Sequence, residues 1–244
     1  MEQEKLNILN KQHETIGVTT RSDVHTRGLW HETFHFWLLK KEHDTVYLYF
    51  QLRSPAKKDF PSLFDITAAG HLLANEQPSD GVREVEEELG LTVPFEDLAF
   101  AGVIQDEIHL PDLTDRECCH VYLYVHQEEQ MNIQLQKEEV AGLYRAKLID
   151  AQQLFTRKCD NMQLEGFEVD EAGVRRKESK VVCVQDFVPH EPAYYQHLFQ
   201  AINSFYNRKN IVTLIWITMF FMRHHNFLSP LSLFAAFCDR SLSI

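Results

Sequence analysis

The chain has 244 residues, 44% of them hydrophobic and 25% charged, a balance that suits a globular protein with a real core and excludes a disordered, collagen-like or disulfide-scaffold protein. Its 36 acidic and 24 basic residues leave a formal charge of −12, which repels a phosphate backbone and argues against a nucleic-acid polymer as partner. Five unevenly spaced cysteines (Cys118, Cys119, Cys159, Cys183 and Cys238) fit a reducing compartment, and the charged start MEQEKLNILNKQHE lacks the apolar stretch of a secretory signal, so a cytoplasmic location is expected.

In chain order, the aromatic-rich runs His35–Leu39 and Val46–Phe50 predict two strands of a hairpin joined by the polar stretch Lys40–Thr45. A Pro- and Lys-rich loop follows at 54–62. A helix is expected from Ser79 or Asp80 to Leu89, stopped by Gly90. Further strands are expected at 98–105 and 119–125, then a short helix at 150–156, strands at 166–170 and 180–186, and a helix over about 190–206. Few helices among many strands predict an α+β fold, a mixed sheet sandwiched by helices. Residues 1–206 are expected to form one domain with its core at 25–150. Residues 207–244 are set apart as an apolar extension with few acids. Its apolar run, Ile211–Met222, has 12 residues against the roughly 20 of a bilayer span, so it reads as a docked C-terminal helix or, alternatively, an interfacial or self-association segment and not as a transmembrane one.

The most informative segment is the acidic helix. At about 100° per residue, Glu84, Glu87 and Glu88 share one face while Val82, Val85 and Leu89 share the opposite, buried one. Three carboxylates at i, i+3 and i+4 repel one another, and Arg83 offsets only part of that charge. A hard divalent cation, Mg²⁺ or Mn²⁺, answers the remainder; a solvated acidic face is the alternative.

The flanks favour the cation. Gly70, Glu76 and the run Arg83-Glu84-Val85-Glu86-Glu87-Glu88-Leu89-Gly90-Leu91 resemble the Nudix box, G-x5-E-x7-R-E-U-x-E-E-x-G-U with U aliphatic. Every fixed position of the helical half is present. The stretch between Glu76 and Arg83 is one residue shorter than in the family, which bears on the role of Glu76. Beyond the box, His25 to Phe34, Arg53 with Lys57 and Lys58, Ala69-Gly70-His71 and Asp115-Arg116-Glu117-Cys118 are similar to the Nudix branch that contains isopentenyl-diphosphate isomerase. That resemblance implies a metal site at His25, His31, His71, Asp115 and Glu117 together with Glu88, and diphosphate contacts from Arg53 and Lys57. Taken singly, a histidine near a strand is as readily a hydrogen-bonding residue, and Arg53 or Lys57 a surface cation. The isomerase's catalytic cysteine has no counterpart, because its place is taken by Ala69, and an alanine cannot shuttle a proton.

The resemblance therefore implies a Mg²⁺-dependent hydrolase cleaving a diphosphate linkage in a small nucleoside or other organic diphosphate. Glu84, Glu87 and Glu88 would hold metal, Arg83 would orient them, and Glu88, Glu117 and Glu139, in that order, are general-base candidates. An isomerase-like enzyme and a non-catalytic ligand sensor are the competing readings. Residues 150–206 exceed a minimal Nudix domain and offer substrate contacts or a homodimer surface. Trp30, Phe34, Phe36 and Trp37 either stack on a base or line a core, and core is the expectation for alternate members of that strand.

Overall fold

The computed structural model describes residues 3–110, 113–128, 130–170 and 172–224, the last helix from 209 onward as backbone. In chain order the elements are β1 (Lys5–Leu9), β2 (Thr15–Thr20), α1 (Arg21–Arg27), β3 (Trp30–Glu42), β4 (Thr45–Arg53), β5 (Phe64–Asp65), β6 (Ala68–His71), α2 (Arg83–Leu89), β7 (Ala99–Leu110), β8 (Leu113–His126), β9 (Val140–Lys147), α3 (Leu148–Phe155), β10 (Met162–Val169), β11 (Arg175–Val182) and α4 (Pro192–His224). The strands form one mixed sheet in the order β11-β10-β9-β4-β3-β1-β2. To it β5 is added through β4, β6 and β8 through β3, and β7 through β8, giving an α+β architecture.

β3 organises the molecule. Its first half pairs antiparallel with β6 (Phe34↔Gly70), its end antiparallel with β4 (Leu39↔Leu48), and almost its whole length parallel with β8 (His31↔Glu117 through Lys40↔His126). Phe34, Phe36 and Leu38 point into the core cluster with Tyr49, Val85, Leu89, Tyr122 and Leu143. The alternate residues His31, Thr33, His35 and Trp37 are buried on the other face. A strand covered on both sides reads as a continuous buried run without polar alternation, and Phe34, Phe36 and Trp37 are core as expected.

α2 begins where a 3-10 turn, Asp80–Val82, ends. That turn lies against β3 so closely that a Cβ on Gly81 would fall 2.5 Å from Phe34, so glycine is required there. Gly90, left-handed at φ 63°, ends the helix as expected. α1, for which no expectation was made, is capped by Thr20, whose side chain accepts from the Asp23 amide, and is closed by Gly28 at φ 59°.

Several boundaries differ from expectation: the strand expected at His35–Leu39 runs from Trp30 to Glu42, the one at 98–105 covers Ala99–Leu110 and the one at 119–125 covers Leu113–His126. The strand expected at 166–170 begins earlier, at Met162, and the one expected at 180–186 lies at Arg175–Val182, followed by a 3-10 turn at Val184–Asp186. The final helix starts at Pro192 and continues past 206 to His224. The chain divides into two compact units, 1–201 and 202–244; the second consists of the end of α4 and of residues 225–244, which lie outside the described set. Among the described residues no helix is long and apolar enough to cross a membrane.

Candidate metal and diphosphate site

Strand periodicity builds half of the site. Successive side chains alternate between faces, so His31, Thr33 and His35 of β3 lie on one face. The parallel register sets Glu117 of β8 beside His31 and Cys119 beside Thr33, and the antiparallel register sets His71 of β6 beside Thr33. Asp115 is two residues before Glu117 on the same face. α1 then delivers His25 from outside the sheet. The Nε2 atoms of His25 and His71 are 3.3 Å apart, and Asp115 Oδ1 is 3.7 Å from Nε2 of both His25 and His31. Three sets of donors, His25-His31-His71, His31-Asp115-Glu117 and His35-Glu117-Cys119, converge closely enough to share an ion.

The protonation states favour a cation. His31 Nδ1 lies 3.1 Å from the Leu29 carbonyl, which can only accept, so Nδ1 carries the hydrogen and Nε2 presents its lone pair inward. Burial, followed by their mutual proximity, pushes His25 down to about 4 and holds His71 well below its ordinary value; burial likewise lowers His31. All three are neutral near pH 7, the form in which an imidazole can accept a cation. Burial and the charge of Glu117 push Asp115 up, whereas Glu117, despite its burial, is held low by hydrogen bonding from His35. His31 Nε2 and Asp115 Oδ1 are buried and have no hydrogen-bond partner among the described residues, which is the condition a cation between them would relieve.

α2 builds the other half. Glu84, Glu87 and Glu88 all face the cavity and Glu86 does not, as the helical spacing predicts. Burial pushes Glu84 up to about 7 and Glu88 well above the carboxylate range, the latter aided by Glu84. Glu88 accepts only long bonds, 3.3 Å each, from Gln51 Nε2 and the Ala69 amide. Arg83 ties the helix to its surroundings. Its Nε and Nη2 donate to the Glu76 carboxylate at 2.8 and 3.1 Å, Nη2 also donates to the His71 carbonyl at 3.1 Å, and Nη1 pairs with Glu84 and, at 3.5 Å, with Glu87. The shortened box loop thus still brings Glu76 onto Arg83, and Glu76 also accepts from the Leu73 amide. Gly70 is the close-approach position, since a Cβ there would fall 2.1 Å from Glu84 Cδ.

The loop after β4 supplies cations. Lys57 is ion-paired with Glu139, and Arg53 donates to Asp65 Oδ2 at 2.8 Å. Behind them lies a charged chain that the sequence did not announce. His190 is held between Asp106 Oδ2 (2.6 Å) and Asp65 Oδ1 (2.9 Å), and Asp106 Oδ1 accepts from the Glu191 amide. Burial disfavours charge on His190, but the two aspartates outweigh it and push the imidazole up to about 10. His35, similarly unannounced, bridges Glu117 and the Tyr194 hydroxyl. No spacing relation links residues 35, 65, 106, 190 and 194, so only the fold shows them together. His25 and His71 of the imidazole cluster, the box carboxylates, Arg53, Lys57 and His190 all border one cavity of about 650 Å³, with His31 buried behind it.

A mixed sheet bearing a carboxylate helix over a polar cavity defines the class. The family model of the NUDIX domain matches residues 29–168, and the chain belongs to the Nudix hydrolases, a family of enzymes. The chain is 39% identical over 206 residues to an uncharacterized Nudix hydrolase of Clostridium acetobutylicum, covering 84% of this chain and 100% of that one. It is 34% identical over 149 residues to Nudix hydrolase 3 of Arabidopsis thaliana, covering 59% of this chain and 19% of that protein. Among solved structures, one from Deinococcus radiodurans aligns with 64% of this chain and 88% of its own at 19% identity and a TM-score of 0.45.

Proposed function

We propose that the protein hydrolyses a diphosphate linkage in a small nucleoside or other organic diphosphate, with Mg²⁺ held by Glu84, Glu87 and Glu88. The observation that carries this reading is the shared cavity, in which a complete set of box carboxylates faces Arg53 and Lys57. Acids that burial drives toward protonation fit a hard divalent cation. His25, His31, His71, Asp115 and Glu117 form a second, imidazole-rich donor set, which suits a transition metal such as Mn²⁺ better than Mg²⁺. Bound divalent ions would supply positive charge against the diphosphate oxygens and acidify a water.

The chain's own residues do the remaining work. Arg83, saturated by Glu76, Glu84 and the His71 carbonyl, positions the carboxylates and has little left for substrate. Arg53, whose donors are already engaged by Asp59, Phe60 and Asp65, would act on the diphosphate through its charge, and Lys57 would exchange its Glu139 partner for the diphosphate. Glu139 is ion-paired with Lys57 and Glu117 is tied to His35, so Glu88 is assigned to accept the water proton. Ala69 contributes only its amide, to Glu88, which leaves the isomerase reading without its acid–base cysteine.

Mg²⁺-dependent phosphate release across nucleotide sugars, dinucleotides, nucleoside triphosphates and prenyl diphosphates tests the reading. Glu88→Gln is expected to lower turnover at least about a hundredfold while ligand binding stays within about threefold. Turnover that survives in Glu88→Gln refutes the assignment of the base. A wild-type protein that binds diphosphates yet releases nothing across the panel is a sensor.

A further inference from the structure

The residue that reads the organic group beyond the diphosphate has not been assigned, and the loop between β4 and β5 holds a side chain built for that task. Phe60 has φ 53°, in the left-handed region that bulky residues rarely adopt, and Ser62, two residues on, has φ 61°. Such a conformation persists only where its surroundings impose it. Here Arg53 imposes it: its Nε donates to the Phe60 carbonyl at 3.1 Å and its Nη2 to the Asp59 carbonyl at 2.9 Å, while Asp65 and, behind it, His190 fix the guanidinium. The left-handed turn holds Phe60 half-buried at the cavity wall.

Two further observations separate Phe60 from the core aromatics. It is the only Phe, Tyr or Trp bordering the cavity among the described residues. Its ring also packs on no other aromatic ring among them, whereas Phe64, four residues on, packs on Tyr144 at 5.1 Å and Phe187 at 5.4 Å. An unstacked ring in a wall otherwise made largely of carboxylates, imidazoles and cations is a platform for a planar group. An alkyl tail laid along that wall would strip water from charges and gain in return only the scattered contacts of Ile66, Leu73, Ile108 and Val188. A heteroaromatic ring can cover the Phe60 face while its edge nitrogens and oxygens meet the polar wall.

We propose that Phe60 is the specificity-determining residue of this site, stacking on a planar heteroaromatic group carried by the diphosphate substrate, with Arg53 holding it in place. This rests on the diphosphate-site reading above. The test uses two non-hydrolysable probes with Mg²⁺, methylenediphosphonate and α,β-methylene-ADP, titrated calorimetrically against the full chain. The wild type is expected to bind the nucleoside probe at least about tenfold more tightly than the bare diphosphonate, the size of one base stacked on an aromatic side chain. Phe60→Ala should lose that increment and leave methylenediphosphonate within about twofold. Phe60→Trp should keep it, and Phe60→Leu, which retains apolar bulk without a planar face, should lose it. Equal binding of the nucleoside probe by wild type and Phe60→Ala overturns the assignment. So does full retention by Phe60→Leu, or an equal loss on both probes, which would place the effect on the diphosphate. A wild type that binds neither probe overturns the diphosphate site itself.

Discussion

His190 shows how one residue can decide the stability of a wall it does not react with. Both ring nitrogens face aspartates, so the imidazole is charged and the three groups form a buried triad continued by Arg53. The His190 imidazole goes from an ordinary 6.5 to about 10 on folding. A raised pKa contributes stability that is complete below about pH 6.5 and is lost as the pH climbs through 10. Asp65 behaves oppositely: burial opposes its charge, but His190 and Arg53 depress it from 3.8 to about 2, so its contribution is present above pH 3.8 and disappears as the pH falls through 2. His190→Gln leaves Asp106 buried without its cation and Asp65 with Arg53 alone, and is expected to cost about 3–5 kcal/mol. Urea unfolding between pH 6.5 and 10 should show a falling stability in the wild type and a flatter profile in His190→Gln. An equally steep decline in the variant would show that other groups set it.

Among the elements, α1 is the one on which the imidazole cluster most depends, since it alone brings His25 in from outside the sheet. Its N-cap is a single bond, from the Asp23 amide to Thr20 Oγ1 at 3.3 Å. Thr20→Ala should cost about 1 kcal/mol and weaken Mn²⁺ binding, read by electron paramagnetic resonance, while Mg²⁺-dependent turnover changes little; unaltered Mn²⁺ affinity would show that α1 holds its place without the cap. α2 was legible because helical spacing and the box residues agree, and the carboxylate face is the one the angles gave. β3 was legible as a strand, yet its working face was hidden, because residues on both faces are buried and no polar alternation marks either. His31, His71, Asp115 and Glu117 were legible only through family resemblance; the registers that join them are long-range. β11 was misplaced because Arg175-Arg176-Lys177-Glu178-Ser179-Lys180 is almost wholly charged. It becomes a strand by pairing with β10 at the sheet edge, where charge is tolerated. The left-handed turn at Phe60 has neither glycine nor asparagine to announce it.

At the scale of the molecule, a chain of net charge −12 carries a cavity for which an anionic substrate is proposed. Arg53 and Lys57 reverse the sign only locally, so distant acids repel the incoming diphosphate and salt should screen that repulsion. At constant free Mg²⁺, raising ionic strength from about 0.02 to 0.2 M is expected to lower KM about two- to fivefold; an increase in KM would mean that the local cations dominate the approach. The double burial of β3 has a separate consequence. Thr33 and His35 of that strand border the cavity while Phe34, Phe36 and Leu38 sit in the core cluster, so this stretch of the wall cannot open without also opening the core. Backbone amides there are tied to the slowest, global exchange of the protein, and heat destroys ligand binding and fold in a single event. Inherited variation has the same constraint: new selectivity cannot be written into β3 without repacking the interior, which leaves the loop after β4 as the part of the wall free to diverge.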